Sequence, residues 1–209
     1  KFPNSTMVVQ GFGNVGMHAA MYAHERGCNV IAVNDVHAGI YDPKGLNIPD
    51  VIKYMTETKS LKGYPKAEAV TSEQLLQIEC DILAPCALDG AITKDNAGKI
   101  KTKIVVEGAN GPCTLDGAKI LTDQGVVIVP DILANGGGVI VSYFEWVQGL
   151  QWFFWNEDEV NNKMKQIITT AFDKVWELKI EKKIDMRTAA MAQAVRRLEA
   201  MLLRGLYPR

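Results

Sequence analysis

A glycine-rich segment, Gly11-Phe12-Gly13-Asn14-Val15-Gly16, constrains the fold of this chain more than any other stretch. It follows an apolar run of β-strand character, Thr6-Met7-Val8-Val9-Gln10, and opens a stretch from Asn14 to Arg26 with helical periodicity. Its first glycine permits a tight turn, its second lets the backbone approach a phosphate, and its third lets the helix pack close to the strand. The segment therefore predicts a dinucleotide-binding turn, with the pyrophosphate at the positive end of the helix.

Two neighbouring features support this interpretation, because a G-x-G-x-x-G pattern alone also occurs in ordinary βα turns. Apolar residues at helical spacing follow the turn and predict a buried helix face of Val15, Ala19, Tyr22 and Ala23. A second strand, Asn29 to Asn34, is followed by Asp35, 19 positions after Gly16. An acidic residue at about this distance binds the adenosine ribose in dinucleotide folds.

Strands and helices alternate along the first two thirds of the chain, and the last third is helical. Further strands are predicted at residues 68–70, 81–84, 103–107 and 126–129, with helices at 49–58, 115–121, 138–150, 158–182 and 185–203. Thr71 and Gln74 form a capping-box pattern, Thr93 is expected to cap a helical turn up to Ala97, and residues 39–45 are typical of a small hairpin or turn. The alternation predicts an α/β fold with a Rossmann-type, doubly wound, mostly parallel sheet and C-terminal helices. We expect one NAD(P)-binding domain over residues 1–209, of which about 150–209 form a C-terminal helical segment.

Composition and charge narrow the class of partners. The net charge of −1 gives no electrostatic basis for binding nucleic acid or an anionic membrane, and no apolar run reaches the roughly 18 residues of a transmembrane helix. The four cysteines lack C-x-x-C spacing, which is typical of reduced thiols in a cytosol-like compartment, so we expect a cytoplasmic protein. No metal site is expected, because His18 and His24 lie six residues apart on one predicted helix and are typical of helix-surface residues.

Small and polar residues follow four of the predicted strands. They lie in the glycine-rich turn, in Pro85-Cys86-Ala87, in Gly108-Ala109-Asn110 and in the segment from Leu133 to Gly138. Ligands of an open parallel sheet bind beyond the carboxyl ends of its strands, and small residues there leave room for a flat cofactor ring. Asn110 and Asn135 are candidates to hydrogen-bond a carboxamide or a ribose; alternatively, the Asn and Gly residues simply fill loops.

Three further blocks make the sequence recognisable: Val106 to Pro112, Pro130 to Val139, and Val141 to Trp146. Together with the glycine-rich turn, and in this order, they closely resemble the C-terminal, cofactor-binding half of hexameric glutamate dehydrogenases, in the Glu/Leu/Phe/Val dehydrogenase family. The resemblance covers essentially the whole chain. It implies a homo-hexameric oxidoreductase of amino-acid metabolism that deaminates L-glutamate oxidatively to 2-oxoglutarate and ammonia, with NAD or alternatively NADP as cofactor.

The resemblance also implies roles for individual residues. At the cofactor, it adds Asn14 and Val15 to Gly11, Gly13 and Gly16 on the pyrophosphate, and it places Asp35 on the adenosine ribose, Ala87 and Asn110 beside the nicotinamide ribose, and Asn135 on the carboxamide. At the substrate, it places Val139 and Ser142, with the Ser142 hydroxyl donating to the distal carboxylate of glutamate. These two residues are spaced to share one helix face. Without the resemblance, Ser142 is interpreted as a solvated or back-bonded helix serine.

No catalytic residue is expected in this chain. In the resembled family, the lysines that bind the substrate and the aspartate that moves protons lie in an N-terminal domain, which is absent here. The chain also opens at Lys1-Phe2-Pro3, directly before a core strand, which indicates a fragment cut at a domain boundary. We therefore expect a fragment that binds the dinucleotide but turns over no substrate, because deamination needs acid–base groups within hydrogen-bond reach.

Other functions stay open at this point. A dehydrogenase for leucine, valine or phenylalanine would share the cofactor half, although its apolar substrate needs no donor such as Ser142. A non-catalytic nucleotide-binding module would need only the glycine-rich turn. The run Trp152-Phe153-Phe154-Trp155 also allows two interpretations, because four adjacent aromatic side chains cannot all face one core. Some of them contact the missing domain or a neighbouring subunit, or the loop folds under its own core.

Overall fold

The computed structural model describes residues 2–205. These residues divide into two compact units, with the boundary between Asp131 and Ile132. The strands of the first unit are β1 (Thr6–Gln10), β2 (Asn29–Asn34), β3 (Gly39–Tyr41), β4 (Glu68–Val70), β5 (Cys80–Pro85), β6 (Thr102–Val106) and β7 (Val127–Val129). Its helices are α1 (Asn14–Glu25), α2 (Ile48–Thr58), α3 (Ser72–Gln77) and α4 (Leu115–Asp123), with a 3-10 turn at Ala97–Lys99. A four-residue helix, α5 (Asp131–Ala134), begins at the last residue of this unit.

The seven strands form one sheet in the order β4-β3-β2-β1-β5-β6-β7. Strands β2, β1, β5, β6 and β7 are parallel, whereas the β2–β3 and β3–β4 pairs are antiparallel. The chain leaves β1 through α1 to reach β2 on one side, and it returns later to place β5 on the other side. This architecture confirms the predicted α/β fold with a mostly parallel sheet.

Helices cover both faces of the sheet, because side chains alternate along each strand. On β1, Met7 and Val9 pack into one core with residues of α1 and α2, whereas Val8 packs into a second core with residues of α3 and α4. All three side chains are buried. The apolar strands of the sequence are thus those of a sheet that is covered on both faces, which is the predicted doubly wound arrangement.

Local capping signals fix where two of the helices begin. The Asn47 side chain accepts a hydrogen bond from the N–H of Asp50 at 3.1 Å and caps α2. The predicted capping box before α3 is confirmed: Thr71 Oγ1 accepts from the N–H of Gln74 at 3.1 Å, and Gln74 Oε1 accepts from the N–H of Thr71 at 2.8 Å. Each bond satisfies an N–H group that the helix itself leaves unpaired.

One predicted turn differs from the structure, and a second is present. Within residues 39–45, Gly39–Tyr41 is a strand of the main sheet that pairs with both β2 and β4, and its Ile40 is buried. The turn predicted after Thr93 is confirmed: Thr93 Oγ1 accepts from the N–H of Asp95 at 3.2 Å, and the Thr93 carbonyl accepts from the N–H of Ala97 at 2.9 Å. The 3-10 turn Ala97–Lys99 follows it.

The predicted buried face of α1 is wrong for two of its four members. Val15 is 53% exposed and Tyr22 is 50% exposed, whereas the residues that face the sheet are Gly16, Ala20 and Ala23. At Gly16 the helix lies close to the turn and to β1, since an added Cβ would overlap the carbonyl oxygen of Gly11 and lie 3.1 Å from Cγ1 of Val9. Hydrophobicity alone therefore did not indicate which side of α1 faces the sheet.

The second unit contains helices α6 (Gly137–Gln151), α7 (Glu157–Lys182) and α8 (Met186–Leu203), as predicted to within one residue at most ends. Phe144 of α6 packs edge-on against Trp155, with ring centroids 5.4 Å apart. The buried Gln148 accepts a hydrogen bond from the N–H of Trp155 at 2.6 Å. These contacts bind the loop after α6 back onto that helix.

Of the four adjacent aromatic residues, Trp155 is the one that packs in this way. Trp152, Phe153 and Phe154 are 87%, 65% and 73% exposed. Trp152 ends α6 in the left-handed region, with φ of 52°. Among the described residues, no helix combines the length and the apolar composition that a membrane span requires.

Candidate functional site

The parallel strands bring five loops to one edge of the sheet. Because β2, β1, β5, β6 and β7 run in the same direction, the loops that follow them share the carboxyl edge. The connection after β1 leads to β2 on one side, and the connection after β5 leads to β6 on the other side, so the crevice between these two loops is a topological switch point. Open α/β sheets bind their ligands at such a crevice.

Gly11 joins three of these loops at the switch point. Its φ is +96°, and a Cβ at this position would lie 2.8 Å from both Cβ and N of Ala87. Its N–H donates to Asn34 Oδ1 at 2.8 Å, and the N–H of Cys86 donates to the carbonyl of Gln10 at 2.7 Å. The turn after β1 is therefore held between the ends of β2 and β5, and only glycine fits there.

The other two glycines of the turn face different surroundings. A Cβ on Gly16 would overlap the carbonyl oxygen of Gly11 and would lie 3.1 Å from Cγ1 of Val9. A Cβ on Gly13 would have nothing of the described chain within 4 Å, and its φ of −80° is open to any residue. Gly16 thus permits close helix–strand packing, whereas the space beside Gly13 is left free by the protein. Asn14 and Val15, which follow Gly13, are exposed.

Gly13 is the N-cap residue of α1, and it has no side chain with which to cap the helix. The N–H groups of a first helical turn have no intrahelical acceptor. In a helix of 12 residues they form, with the positive end of the dipole, a site for a phosphate group. This geometry is the one that the glycine-rich pattern predicts.

Asp35 lies where the sequence places it, directly after β2, but its carboxylate is engaged by the backbone. Oδ1 accepts from the N–H groups of His37 at 2.6 Å and Ala38 at 2.7 Å, and Oδ2 accepts from that of Leu61 at 2.6 Å. Burial acts to raise the pKa of Asp35, but the hydrogen bonds from Leu61, Ala38 and His37 outweigh it and hold the pKa below the ordinary value of 3.8. The Ser60 side chain adds a fourth hydrogen bond to this carboxylate. A carboxylate offers about four acceptor positions, so a ribose hydroxyl would share or replace the Ser60 contact.

Small groups line the other side of the crevice, after β5 and β6. A Cβ on Gly108 would lie 2.5 Å from Sγ of Cys86 and 3.4 Å from Cγ1 of Val15, so these three residues are in close contact. Burial raises the pKa of the Cys86 thiol to about 11, which keeps it protonated and unreactive near neutral pH. Ala87 and Asn110 are both exposed at this edge.

The three remaining predicted residues belong to the second unit. Asn135 is half-buried and precedes α6, while Val139 and Ser142 are exposed on α6 itself. The Ser142 hydroxyl donates to the carbonyl of Gly138 at 3.0 Å, four residues back along the helix. Its predicted contact with a substrate carboxylate therefore requires this hydroxyl to rotate.

One buried polar group at this edge was not predicted from the sequence. The side chain of Glu107, directly after β6, is fully buried, and its Oε2 accepts from the N–H of Asp131 at 2.8 Å. Asp131 Oδ2 accepts in turn from the N–H of Gly111 at 2.8 Å. An acidic residue at the end of an otherwise apolar strand was the available signal. Among the described residues, no cluster of His, Cys, Asp or Glu has the composition of a metal site.

Comparisons with known proteins extend this picture. The family model described as Glutamate/Leucine/Phenylalanine/Valine dehydrogenase matches residues 1–205. The chain is 50% identical over 206 residues to the glutamate dehydrogenase of Thermotoga maritima, covering 98% of this chain and 50% of that protein. It is 44% identical over 204 residues to the cryptic catabolic NAD-specific glutamate dehydrogenase GudB of Bacillus subtilis, covering 95% of this chain and 47% of that protein.

A solved structure shows the same fold. The Leu-bound form of the hetero-hexameric glutamate dehydrogenase from Thermus thermophilus superposes with a TM-score of 0.91 at 35% sequence identity. The match covers 100% of this chain and 49% of that chain. The chain thus spans about half the length of the curated relatives that it matches.

Proposed function

Because the chain belongs to the Glutamate/Leucine/Phenylalanine/Valine dehydrogenase family, we propose that it is the dinucleotide-binding half of an NAD-dependent glutamate dehydrogenase. The complete enzyme would deaminate L-glutamate oxidatively to 2-oxoglutarate and ammonia. Two observations favour glutamate and NAD within the family: similar proteins are named glutamate dehydrogenases, and several of them are named NAD-specific. Leucine, valine or phenylalanine would be the substrates of the rival enzymes.

The open space beside Gly13 carries the proposal. The two neighbouring glycines of the motif are needed by the fold itself, since a Cβ on either would collide with the protein. Gly13 is needed by no contact of the described chain, yet it stands at the first turn of α1. Approach of a pyrophosphate to the backbone at this point would explain why the residue is glycine.

Residues on either side of the pyrophosphate would hold the two nucleosides. On the β2 side, the Asp35 carboxylate would bind an adenosine ribose hydroxyl, which would share or replace its contact with Ser60. On the β5 and β6 side, Ala87 and Asn110 would flank the nicotinamide ribose, and Asn135 would bind the carboxamide. When bound, the nicotinamide supplies the hydride acceptor for the α-carbon of the substrate. The chain's own contribution is to orient that ring.

The preference for NAD would come from charge. A 2′-phosphate of NADP carries about −1.5 to −2 charge near neutral pH, and it would lie next to the ionised Asp35. The buried carboxylate cannot turn away, because three backbone N–H groups hold it. NADP would therefore bind more weakly than NAD, through repulsion rather than through many lost hydrogen bonds.

The substrate and the acid–base groups would need the remainder of the enzyme. Val139 and Ser142 would contact the substrate side chain from this half, with Ser142 donating to the distal carboxylate. The groups that move protons would come from a separate N-terminal domain, and the complete enzyme would assemble as a hexamer. This chain alone would bind cofactor without turnover.

Titration of the purified chain with NADH, by fluorescence or calorimetry, tests the proposal. Saturable binding is expected, and Gly13→Val should abolish it while leaving the urea unfolding curve unchanged. Gly98→Val is the matched control, because its added side chain also meets open space but lies before β6, away from the carboxyl edge. Glutamate with NAD should give no NADH.

Three results would contradict the proposal. Failure of the wild-type chain to bind NADH would refute dinucleotide binding. Wild-type affinity for NADH in Gly13→Val would show that the glycine turn has a structural role only. Glutamate-dependent NADH production by the pure chain would show that acid–base groups are present in it.

A further inference from the structure

The buried carboxyl group of Glu107 has no part in the chemistry described so far. It is fully buried at the carboxyl end of β6, where it accepts from the N–H of Asp131. A carboxyl group without exposure is costly unless hydrogen bonds compensate for the lost water. An apolar side chain would fill the same space at a lower desolvation cost. The carboxyl group therefore indicates that a hydrogen-bond acceptor is needed here for the N–H of Asp131.

A second hydrogen bond connects Asp131 to the loop between β6 and α4. Asp131, whose N–H is fixed by Glu107, accepts from the N–H of Gly111 at 2.8 Å. Gly111 has a φ of +54°, and its carbonyl accepts from the N–H of Gly90 at 2.9 Å. Two buried or half-buried acidic side chains thus hold the far end of the loop. We call this pair of hydrogen bonds the Glu107–Asp131 clasp.

The near end of the same loop is fixed by β5. The N–H groups of Gly108 and Ala109 donate to the carbonyl of Pro85 at 3.0 and 2.9 Å. Asn110 is the exposed residue between the two anchors. The loop is therefore anchored on both sides of Asn110.

The sheet order decides which end of a dinucleotide this loop would meet. The adenosine lies over the β2 side of a Rossmann crevice, so the second nucleoside lies over the β5 and β6 side. We propose that Glu107 and Asp131 are positioning residues that set Asn110 against the nicotinamide ribose. This inference rests on the proposed function. It adds that Glu107 and Asp131 affect the binding of the nicotinamide end of the cofactor and not that of the adenosine end.

Two ligands distinguish positioning from general structural support. NADH contains the nicotinamide ribose, whereas ADP contains only the adenosine and the diphosphate. For Asp131→Ala, we expect the Kd for NADH to rise about five- to tenfold, the effect of one lost hydrogen bond, and the Kd for ADP to stay within about twofold. Asp131→Asn should recover most of the NADH affinity, because its amide oxygen can still accept from Gly111.

Asp42→Ala is the matched control. The Asp42 side chain also accepts a backbone N–H, that of Lys44 at 2.9 Å, but it follows β3 at the opposite edge of the sheet. Both affinities should be unchanged in this variant. If Asp131→Ala fails to fold, Asp131→Glu carries the test, because the longer side chain keeps the charge and displaces the acceptor from Gly111.

The outcomes separate this inference from the proposed function. Equal weakening of NADH and ADP, or an unchanged NADH affinity in Asp131→Ala and Asp131→Glu, would overturn the positioning role alone. Wild-type chain that fails to bind NADH would overturn the proposed function and the positioning role with it. A rise in the NADH-to-ADP ratio of Kd values, reversed in Asp131→Asn, is the supporting result.

Discussion

Replacing Asp35 by asparagine should destabilise the first unit strongly. The amide oxygen can still accept from His37 and Ala38, but the amide nitrogen would face the N–H of Leu61, donor against donor. Hydrogen bonds to charged groups contribute roughly 1.5–3 kcal/mol each, and an unsatisfied buried donor costs about 1–3 kcal/mol. We therefore expect Asp35→Asn to lower the free energy of unfolding by roughly 2–4 kcal/mol at pH 7.

The effect should depend on pH in one direction. The folded-state pKa of Asp35 is lowered from 3.8, so its stabilising contribution is present in full above that value. As the pH falls, the unfolded chain binds a proton before the folded chain does, and the contribution is lost. The difference between wild type and Asp35→Asn should therefore be constant from about pH 6 to 8 and should shrink below about pH 4.

Urea unfolding followed by circular dichroism, from pH 3 to 8, measures this difference. Asp42→Asn is the control, because its carboxylate makes a single exposed hydrogen bond to the N–H of Lys44, and it should change stability by less than about 0.5 kcal/mol. The reasoning fails if Asp35→Asn is as stable as the control at pH 7. It also fails if the loss does not diminish at low pH.

Three further predictions follow from the site. Gly16→Ala should cost about 1–3 kcal/mol in urea unfolding, because its Cβ would overlap the Gly11 carbonyl, whereas Gly13→Ala should leave stability unchanged; equal stability of the two variants would contradict this packing. Asp35→Ser should bring the Kd values for NADH and NADPH closer together at pH 8, and an unmoved ratio would show that Asp35 does not set the preference. In the complete enzyme, Ser142→Val should lower kcat/KM for glutamate relative to norvaline by roughly 10- to 100-fold, and an unchanged ratio would reject the role of Ser142.

The features that the sequence predicted well depend on neighbours along the chain. The Thr71–Gln74 capping box joins residues three apart, and the glycine turn lies within six residues. β3 was harder, because its status as a sheet strand requires β4, which follows only after α2. Short-range signals cannot show such pairing.

The features that were missed involve residues far apart in sequence. Leu61 lies 26 residues from Asp35, so nothing near Asp35 indicated that its carboxylate accepts a hydrogen bond from the N–H of Leu61. Asp131 lies 24 residues from Glu107, and the clasp between them was equally invisible. The prediction for α1 failed at Val15 and Tyr22 for a related reason, since the fold determines which side of the helix packs on the sheet.

The turn at Gly11 also has a consequence for how a ligand would bind. Ala87 on one side and Gly16 of α1 on the other pack closely against Gly11, and the N–H of Gly11 is already bonded to Asn34. A loop that is rigid before binding loses little conformational entropy when a ligand arrives. Phosphate contacts at this turn would therefore contribute to affinity with little entropic cost. The pyrophosphate would bind to a preorganised site, and its position would determine where the two nucleosides bind.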